Sequence, residues 1–395
     1  MHRLASIDIA ELSGYKASQL KKVATPCIDD HQLQPDDLIV KGELSAVCSR
    51  IVLKCLYLAR YNRPDIYWTV NVLARSVTSW TRACDKRLER LIAYINSTVD
   101  VSQHCYVGDP PENCSIGLFA DASFAGDLVD SKSTTGELLC LFGPNTFVPI
   151  TWMCKKQTAV SHSSTEAEVI ALDACVRMDG IPILNLWDQV IEILGPNSVA
   201  KSGGRKVGGP VPKLGSQRDP SLDAKTEQEI LLNVDWVPWG AKPPHGLARM
   251  YIFEDNEACI KMIIKGRSPA LRHIIRTQRV DLDWLLERLK TDPGMFIKYV
   301  GTKSQLADMS TKGSFTAAQW KDLMSLHHLG VHKHLKWGSP TTPGLTGCSD
   351  GPRKPISRNR QGTKSGSPSP PRVKWLLLLC HAMHLANLAH LACPF

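Results

Sequence analysis

Four acidic residues of this 395-residue chain stand where predicted strands end or predicted helices begin. Asp121 and Asp255 each close an apolar run, Glu168 lies near the start of a helical pattern, and Asp308 lies at the start of another. Strand ends and helix starts at one edge of a mixed sheet converge, so we expect the four carboxylates to share one site. Carboxylates held so close repel one another unless cations neutralise them.

Hard divalent cations suit a site built from carboxylate oxygens. Two Mg²⁺ ions about 4 Å apart can activate a water molecule and stabilise the leaving oxygen in phosphodiester cleavage. The four acids therefore predict a two-metal centre with two Mg²⁺ ions, which Mn²⁺ could replace. The alternative for residues 163–168 is an ordinary helix cap whose glutamates are solvated, and Glu166 competes with Glu168 as the metal ligand.

Apolar periodicity places these acids in an α/β fold. Alternation of apolar and polar residues predicts three strands: the first ends at Asp121, the second covers residues 137–142 and the third covers residues 147–154. A helix is predicted to begin near Ser163. After residue 249 the pattern predicts a strand, two helices, a strand and a last helix at 306–308. The helix after Ser163 is expected to bury one stripe of residues: Ala167, Ile170, Ala171, Ala174 and Met178.

Changes in composition divide the chain into five segments. The Gly- and Pro-rich stretch is too long for an ordinary loop inside a domain, so it predicts a disordered insertion. The segments are a mostly helical region at 1–108, the first half of an α/β domain at 109–195, the insertion at 196–248, the second half at 249–322, and a low-complexity basic tail with an apolar C-terminus at 323–395.

Charge and cysteine content narrow the class of protein. The chain carries a net charge of +9, most of it in the tail, so nucleic-acid contacts of the folded part must come from local patches. The 13 cysteines are scattered without zinc-ligand spacing, which favours reduced thiols in an intracellular protein of the cytoplasm or nucleus. We do not expect the apolar C-terminus to anchor the chain in a membrane, because four polar residues interrupt it.

Several ordered motifs resemble one family. Ala120-Asp121-Ala122-Ser123-Phe124-Ala125-Gly126-Asp127, Lys132-Ser133-Thr134-Thr135-Gly136 and Ser163-Ser164-Thr165-Glu166-Ala167-Glu168 are similar to the ribonuclease H domain of copia-type LTR retrotransposon Pol polyproteins. Glu254-Asp255-Asn256, the run 276–281 and the run 299–312, which ends in Thr311-Lys312, resemble its second half. Arg63-Pro64-Asp65-Ile66 and other motifs upstream resemble the segment that joins the reverse transcriptase to this domain.

The resemblance implies a ribonuclease H-like mixed five-stranded sheet with flanking helices, preceded by a helical remnant of the reverse transcriptase connection region. It implies two-metal cleavage of the RNA strand of RNA–DNA hybrids, with Asp121, Glu168, Asp255 and Asp308 as catalytic metal ligands. The family pattern favours Glu168 over Glu166, because Glu168 directly precedes an apolar pair. A polymerase palm is missing from the resemblance, so another chain would have to supply the polymerase.

Departures from the family keep a second hypothesis open. The insertion and the tail suggest a catalytically inactive retroelement remnant that acts, if at all, as a nucleic-acid-binding or structural module. For an active enzyme the candidate phosphate contacts are Lys132, Lys155, Lys156 and Gln157, and the alternative for each is a solvated surface side chain.

Overall fold

The computed structural model describes residues 11, 13–15, 19–28, 32–126, 130–195, 248–265 and 280–331. The predicted insertion, apart from Ala248, therefore lies outside the described residues. The same holds for most of the motif at 276–281 and for the tail beyond residue 331, including its apolar C-terminus.

A six-stranded mixed sheet forms the centre of the fold, in the order β2–β5–β4–β3–β6–β7. Neighbours are antiparallel from β2 to β3, whereas β6 runs parallel to both β3 and β7. The strands are β2 (Tyr106–Val107), β3 (Ser115–Ser123), β4 (Thr134–Gly143), β5 (Thr146–Lys156), β6 (Met250–Glu254) and β7 (Met295–Tyr299). The predicted α/β class and mixed sheet are confirmed, and the sixth strand is the two-residue β2, which is too short to produce an alternating pattern.

The central strands are buried because they carry apolar residues on both faces. The interior of β3 is buried throughout, as expected for a strand with neighbours on both sides and helices above and below. The ladder between β4 and β5 shifts register between Leu139 and Cys140, opposite Pro149. Because Pro149 has no N–H to donate, a bulge is the ordinary way to keep it inside a paired strand.

One face of the sheet is covered by the helices that precede it. These are α1 (Pro35–Ile39), α2 (Cys48–Tyr61), α3 (Tyr67–Arg75) and α4 (Arg82–Ser97), and α2 to α4 share one hydrophobic core with the sheet. Trp152 on β5 donates its indole N–H to the carbonyl of Ala59 at 3.0 Å. Asn71 donates to the carbonyl of Cys154 at 2.8 Å. Helices therefore dominate residues 32–97, and α2 to α4 form part of the same core as the sheet.

A buried ion pair locks this helical layer. Arg63 is 1% exposed and donates to both oxygens of Asp65, at 2.9 Å and 2.8 Å. The hydroxyl of Tyr94 also donates to Asp65 at 2.8 Å, and the indole of Trp320 donates to Tyr94 at 3.1 Å. The Arg63-Pro64-Asp65 motif therefore has a structural role, because its charges are paired and hydrogen-bonded inside the core.

The opposite face is covered by α5 (Ser164–Cys175), α6 (Ile181–Leu194), α7 (Glu257–Lys265) and α8 (Leu282–Thr291). A single π turn, Val176–Gly180, joins α5 to α6. Pro182 lies in the first turn of α6 and cannot donate to the preceding turn, which fits a local change of hydrogen-bond pattern. The prediction that Met178 continues the buried stripe is wrong. Met178 is exposed, because the π turn rotates the positions after Cys175 relative to a regular helix.

The fold continues past the predicted boundary at residue 322. After α9 (Asp308–Thr311), helix α10 (Ala317–Leu326) carries the buried Leu323 into the helical layer. Strand β8 (Leu329–Gly330) then pairs with β1 (Ser102–Gln103). His327 is buried and donates its ring N–H to the carbonyl of Leu306 at 2.8 Å. The tail therefore starts later than the composition indicated.

The ten cysteines in the described part are free thiols, and among them only Cys105 is exposed. Across the same residues, no helix combines the length and the apolar character needed to cross a membrane.

Candidate metal centre

Three of the four predicted acids meet at the carboxyl ends of two neighbouring parallel strands. Asp121 lies near the end of β3, Asp255 directly follows β6, and Glu168 lies on the first turns of α5. One carboxylate oxygen from each lies within 4.8 Å of the other two. The pairing of Phe119 with Phe253 brings Asp121 and Asp255 to the same level, because both lie two residues further along parallel strands.

The three carboxylates are poorly solvated. Asp121 is 2% exposed and Glu168 is 6% exposed. Burial raises the pKa of Glu168, and the nearby carboxylates of Glu254, Asp121 and Asp255 raise it further. Burial and then Asp121 also raise the pKa of Asp255. Oε2 of Glu168 is buried and has no hydrogen-bond partner among the described residues. Three ionised carboxylates in this position repel one another, and a bound positive charge would remove that repulsion.

Asp308 lies beside this trio but has another partner. Burial raises its pKa to about 7, Asp121 and Asp255 add to the rise, and Lys312 opposes it. Nζ of Lys312 lies 2.5 Å from Oδ1 of Asp308 and 4.0 Å from Oδ1 of Asp121. Among the described residues, the set of oxygens within 4.8 Å of one another comprises Asp121, Glu168 and Asp255, without Asp308.

The short helix α9 fastens this corner to β3 and β4. The hydroxyl of Thr311 donates to Oδ2 of Asp121. Gln305 donates its side-chain amide to the carbonyl of Ala120 at 2.9 Å. Gly136 on β4 leaves room for Thr311, because a Cβ there would lie 2.3 Å from the Thr311 methyl group. These contacts fix the position of α9 along β3, and therefore the positions of Asp308 and Lys312 relative to Asp121.

Glu166 does not point into the site. Its backbone N–H donates to the hydroxyl of Ser163 at 3.1 Å, and its carboxylate accepts from the backbone N–H of His162 at 2.9 Å. These are the bonds of a helix N-terminus that satisfies its free donors with nearby side chains. The alternative of an ordinary cap therefore describes Glu166, whereas Glu168, two residues later, lies beside Asp121 and Asp255.

The four predicted phosphate contacts divide into two kinds. Gln157 is buried; its amide donates to Thr135 and Ala167, and it accepts from Ser161. Such a side chain holds the end of β5 in place and does not face a phosphate.

The three lysines remain near the surface. Lys155 and Lys156 pair with Thr135 and Thr134 of β4. Across the sheet they lie one and two residue positions beyond the level of Asp121, which pairs with Gly136. Because side chains alternate along a strand, Lys156 projects from the same face as Asp121 and Lys155 from the opposite face. Lys132 and Lys156 both approach Asp130, at 3.5 Å and 2.8 Å.

Comparison with known proteins finds relatives among transposon polyproteins. The chain is 34% identical over 155 residues to a retrovirus-related Pol polyprotein from transposon RE2 of Arabidopsis thaliana, and 36% identical over 118 residues to the one from transposon RE1. These alignments cover 38% and 30% of this chain but only 10% and 8% of the polyproteins. A secreted RxLR effector protein, number 161 of Plasmopara viticola, is 31% identical over 123 residues, which is 81% of its length.

These similarities relate the chain to part of the retrotransposon Pol polyproteins. It spans about a tenth of the length of the first Pol relatives, so the activities of a whole polyprotein are not thereby its own. No family model and no solved structure matches it.

Two charged side chains beside these acids, Lys312 and Glu254, were not among the candidate residues predicted from the sequence. Lys312 follows Asp308 by four residues, a spacing that brings side chains together on a helix and could have predicted their ion pair. Glu254 is 0% exposed, accepts from the backbone N–H of Asn256 at 3.1 Å, and contributes to the raised pKa of Glu168. Its position gave no signal, because strand alternation does not show that it lies near a helix residue 86 positions earlier in the chain.

Proposed function

We propose that this relative of retrotransposon Pol polyproteins is a ribonuclease H-type nuclease that cleaves the RNA strand of RNA–DNA hybrids with divalent cations. The observation that carries the proposal is the trio Asp121, Glu168 and Asp255, whose carboxylate oxygens lie within 4.8 Å of one another. A purely structural set of acids would be paired with bases or hydrogen-bond donors, whereas Oε2 of Glu168 is buried without a partner in the part of the chain that the structure describes.

The donor set fits Mg²⁺ or Mn²⁺. All three ligand atoms are carboxylate oxygens, which hard cations prefer, and the group offers no sulfur or imidazole ligand that would favour zinc. When bound, a divalent cation supplies positive charge at the scissile phosphate and makes a water molecule more acidic. Asp121 and Asp255 would hold it from the sheet and Glu168 from the helix, so that three separate elements fix its place.

The protein's own contribution to catalysis is position and charge. β3 and β6 are buried central strands, so Asp121 and Asp255 are held by a rigid support. Lys155 and Lys156 lie in the adjoining rows, roughly 10 Å from Asp121 across two strand spacings. We propose that they and Lys132 contact the phosphates of the hybrid, whose A-form-like minor groove presents 2′-hydroxyls on the RNA strand.

The arrangement of the sheet supports the ribonuclease H-like form of the fold. The predicted order of strand–strand–strand–helix, then strand–helix–helix–strand–helix, agrees with the observed order of β3, β4, β5, α5, α6, β6, α7, α8, β7 and α9, except that a second helix, α6, follows α5. The acids stand at the ends and starts of these elements where the family pattern expects them.

Cleavage of a labelled RNA–DNA hybrid by the full chain tests the proposal. We expect RNA-strand cleavage with Mg²⁺ or Mn²⁺ and none with chelator, with the Asp121→Asn variant, or on a DNA duplex. Glu287→Gln, at an exposed carboxylate on α8, is the matched control and should cut at the wild-type rate.

The remnant hypothesis makes the opposite prediction for the same assay. An inactive nucleic-acid-binding module would retain the hybrid in a gel-shift experiment without cutting it under any metal condition. That result, obtained with folded protein, would overturn the proposed enzyme. If cleavage is observed but is distributive, addition of a separate polymerase subunit would test whether a polymerase from another chain acts together with this one.

A further inference from the structure

Lys312 stands between Asp121 and Asp308, two of the four carboxylates that the sequence predicts to hold a pair of cations. Its ammonium nitrogen lies 2.5 Å from Asp308 and 4.0 Å from Asp121. Asp308 and Asp121 are both buried, whereas the Lys312 side chain is 37% exposed. In the neighbouring trio of Asp121, Glu168 and Asp255, by contrast, Oε2 of Glu168 is buried without a hydrogen-bond partner among the described residues.

We propose that the ammonium group of Lys312 occupies the position of the second divalent cation, so that the protein without nucleic acid binds one cation and admits a second only when Lys312 leaves. This inference rests on the proposed function, because it assigns a role to a residue of the same site. A single positive charge at this place neutralises part of the repulsion between Asp121 and Asp308, which makes entry of a further cation unfavourable.

The backbone on either side of Lys312 is held in place. Thr311 donates to Asp121, and its methyl group fills the space beside Gly136. Gly313 lies so close to the ring of Trp68 that a Cβ there would be 2.1 Å from a ring carbon. The backbone N–H of Lys312 donates to the carbonyl of Asp308 at 3.0 Å.

Displacement of Lys312 therefore requires rotation of its side chain and no movement of α9. Its partly exposed side chain can turn outward, where the phosphates of a bound nucleic acid offer an alternative anionic partner. The second cation position would then open at the moment when the scissile phosphate arrives, which links metal loading to substrate binding.

Counting bound Mn²⁺ on the full-length protein, without nucleic acid, tests the inference independently of cleavage. Mn²⁺ is titrated and free ion is quantified by electron paramagnetic resonance. We expect one ion per wild-type chain and two per Lys312→Gln chain, with the two ions close enough to broaden each other's signal. Lys312→Arg keeps the positive charge and should bind one.

Two further variants keep the count interpretable. Lys312→Gln combined with Asp308→Asn should return the number to one, because the second position loses its carboxylate. Lys261→Gln removes a lysine from another i,i+4 ion pair, with Glu257, and should leave the count at one.

The outcomes distinguish this inference from the function on which it rests. Two ions on the wild type, or one ion on folded Lys312→Gln, would overturn the role of Lys312 while leaving a metal site in place. If neither protein binds Mn²⁺ although both melt cooperatively, the proposed metal-dependent function fails as well.

Discussion

The hydroxyl of Thr311 donates a hydrogen bond to the carboxylate of Asp121, although 190 residues separate them in the chain. The bond joins the last short helix of the site to its central strand. It orients one oxygen of Asp121 and leaves the other directed towards Lys312. In the proposed metal site, Thr311 would therefore orient Asp121 without binding the cation itself.

Replacement of Thr311 by Val should weaken the binding of divalent cations by about 10-fold or more, the usual effect of losing a group that orients a metal ligand. Val keeps the methyl group that packs on Gly136, so the fold should survive. Mn²⁺ affinity measured by calorimetry checks the prediction. Thr311→Ser retains the hydroxyl and should bind nearly as the wild type does, and an equal loss in both variants would contradict it.

Glu166 and Glu168 should respond differently to the same isosteric change. Glu168→Gln removes a ligand and relieves repulsion, so it should melt at or above the wild-type temperature in chelator and gain nothing from Mg²⁺. Glu166→Gln weakens the helix start, where it accepts from His162, and should cost roughly 0.5–1 kcal/mol while keeping the gain from Mg²⁺. Paired thermal melts decide, and a reversed pattern would exchange the two roles.

Removal of the charge on Asp65 should be the most damaging single change in the helical layer. Asp65→Asn leaves the buried Arg63 without its anionic partner, which typically costs about 3–5 kcal/mol. Urea unfolding monitored by tryptophan fluorescence gives the difference. Glu287→Gln also removes a carboxylate from an arginine, but that pair is exposed and its loss should cost less than about 1 kcal/mol. Similar costs for both would contradict the structural role of the motif.

The buried His327 should make the protein sensitive to mild acid. Burial lowers its pKa from 6.5 to about 4. Because the folded pKa lies below the unfolded value, the unfolded chain binds the extra proton. The contribution of His327 to the free energy of unfolding is therefore complete above pH 6.5. It is lost as the pH falls towards 4, by about 1.4 kcal/mol per pH unit at most.

Melting temperatures of wild type and His327→Gln between pH 4 and 7 test this. Gln can still donate to the carbonyl of Leu306 but does not titrate in this range, so its curve should be flatter. His162→Gln, at an exposed position, should follow the wild-type curve. A variant curve as steep as that of the wild type would exclude His327 as the source of the acid sensitivity.

The sequence predicted the elements that carry strong periodicity and missed those that depend on distant partners. The spacing of Leu88, Leu91 and Ile92 is by itself enough to predict the helix that carries them, and all three side chains are buried. The strands β1 and β8 have two residues each, so no local pattern distinguishes them from loop. Met178 followed the helical period and was misplaced, because a π turn depends on Pro182 and on packing that no periodicity records.

The features of the candidate site also divide into those that local sequence could predict and those that it could not. Asp121 and Asp255 could be placed together from strand ends, because parallel strands bring their carboxyl ends to one edge. The burial of Gln157 could not be predicted, since it depends on acceptors from β4 and α5 that lie around it in space. The engagement of Asp308 by Lys312 was within reach of the i,i+4 rule, whereas the proximity of Glu254 to Glu168 required the assembled sheet.

The parallel pairing of β3 with β6 also affects the order in which the protein can be made. A ribosome completes β3 long before β6, because Phe119 pairs with Phe253. At ~5–20 residues per second, the growing chain exposes one unpaired edge of β3 for on the order of ten seconds. An unpaired edge of apolar strand is a template for association with other chains. Nascent copies on neighbouring ribosomes therefore run the greatest risk of pairing with each other during that interval, and it ends when residues 250–254 emerge from the ribosome.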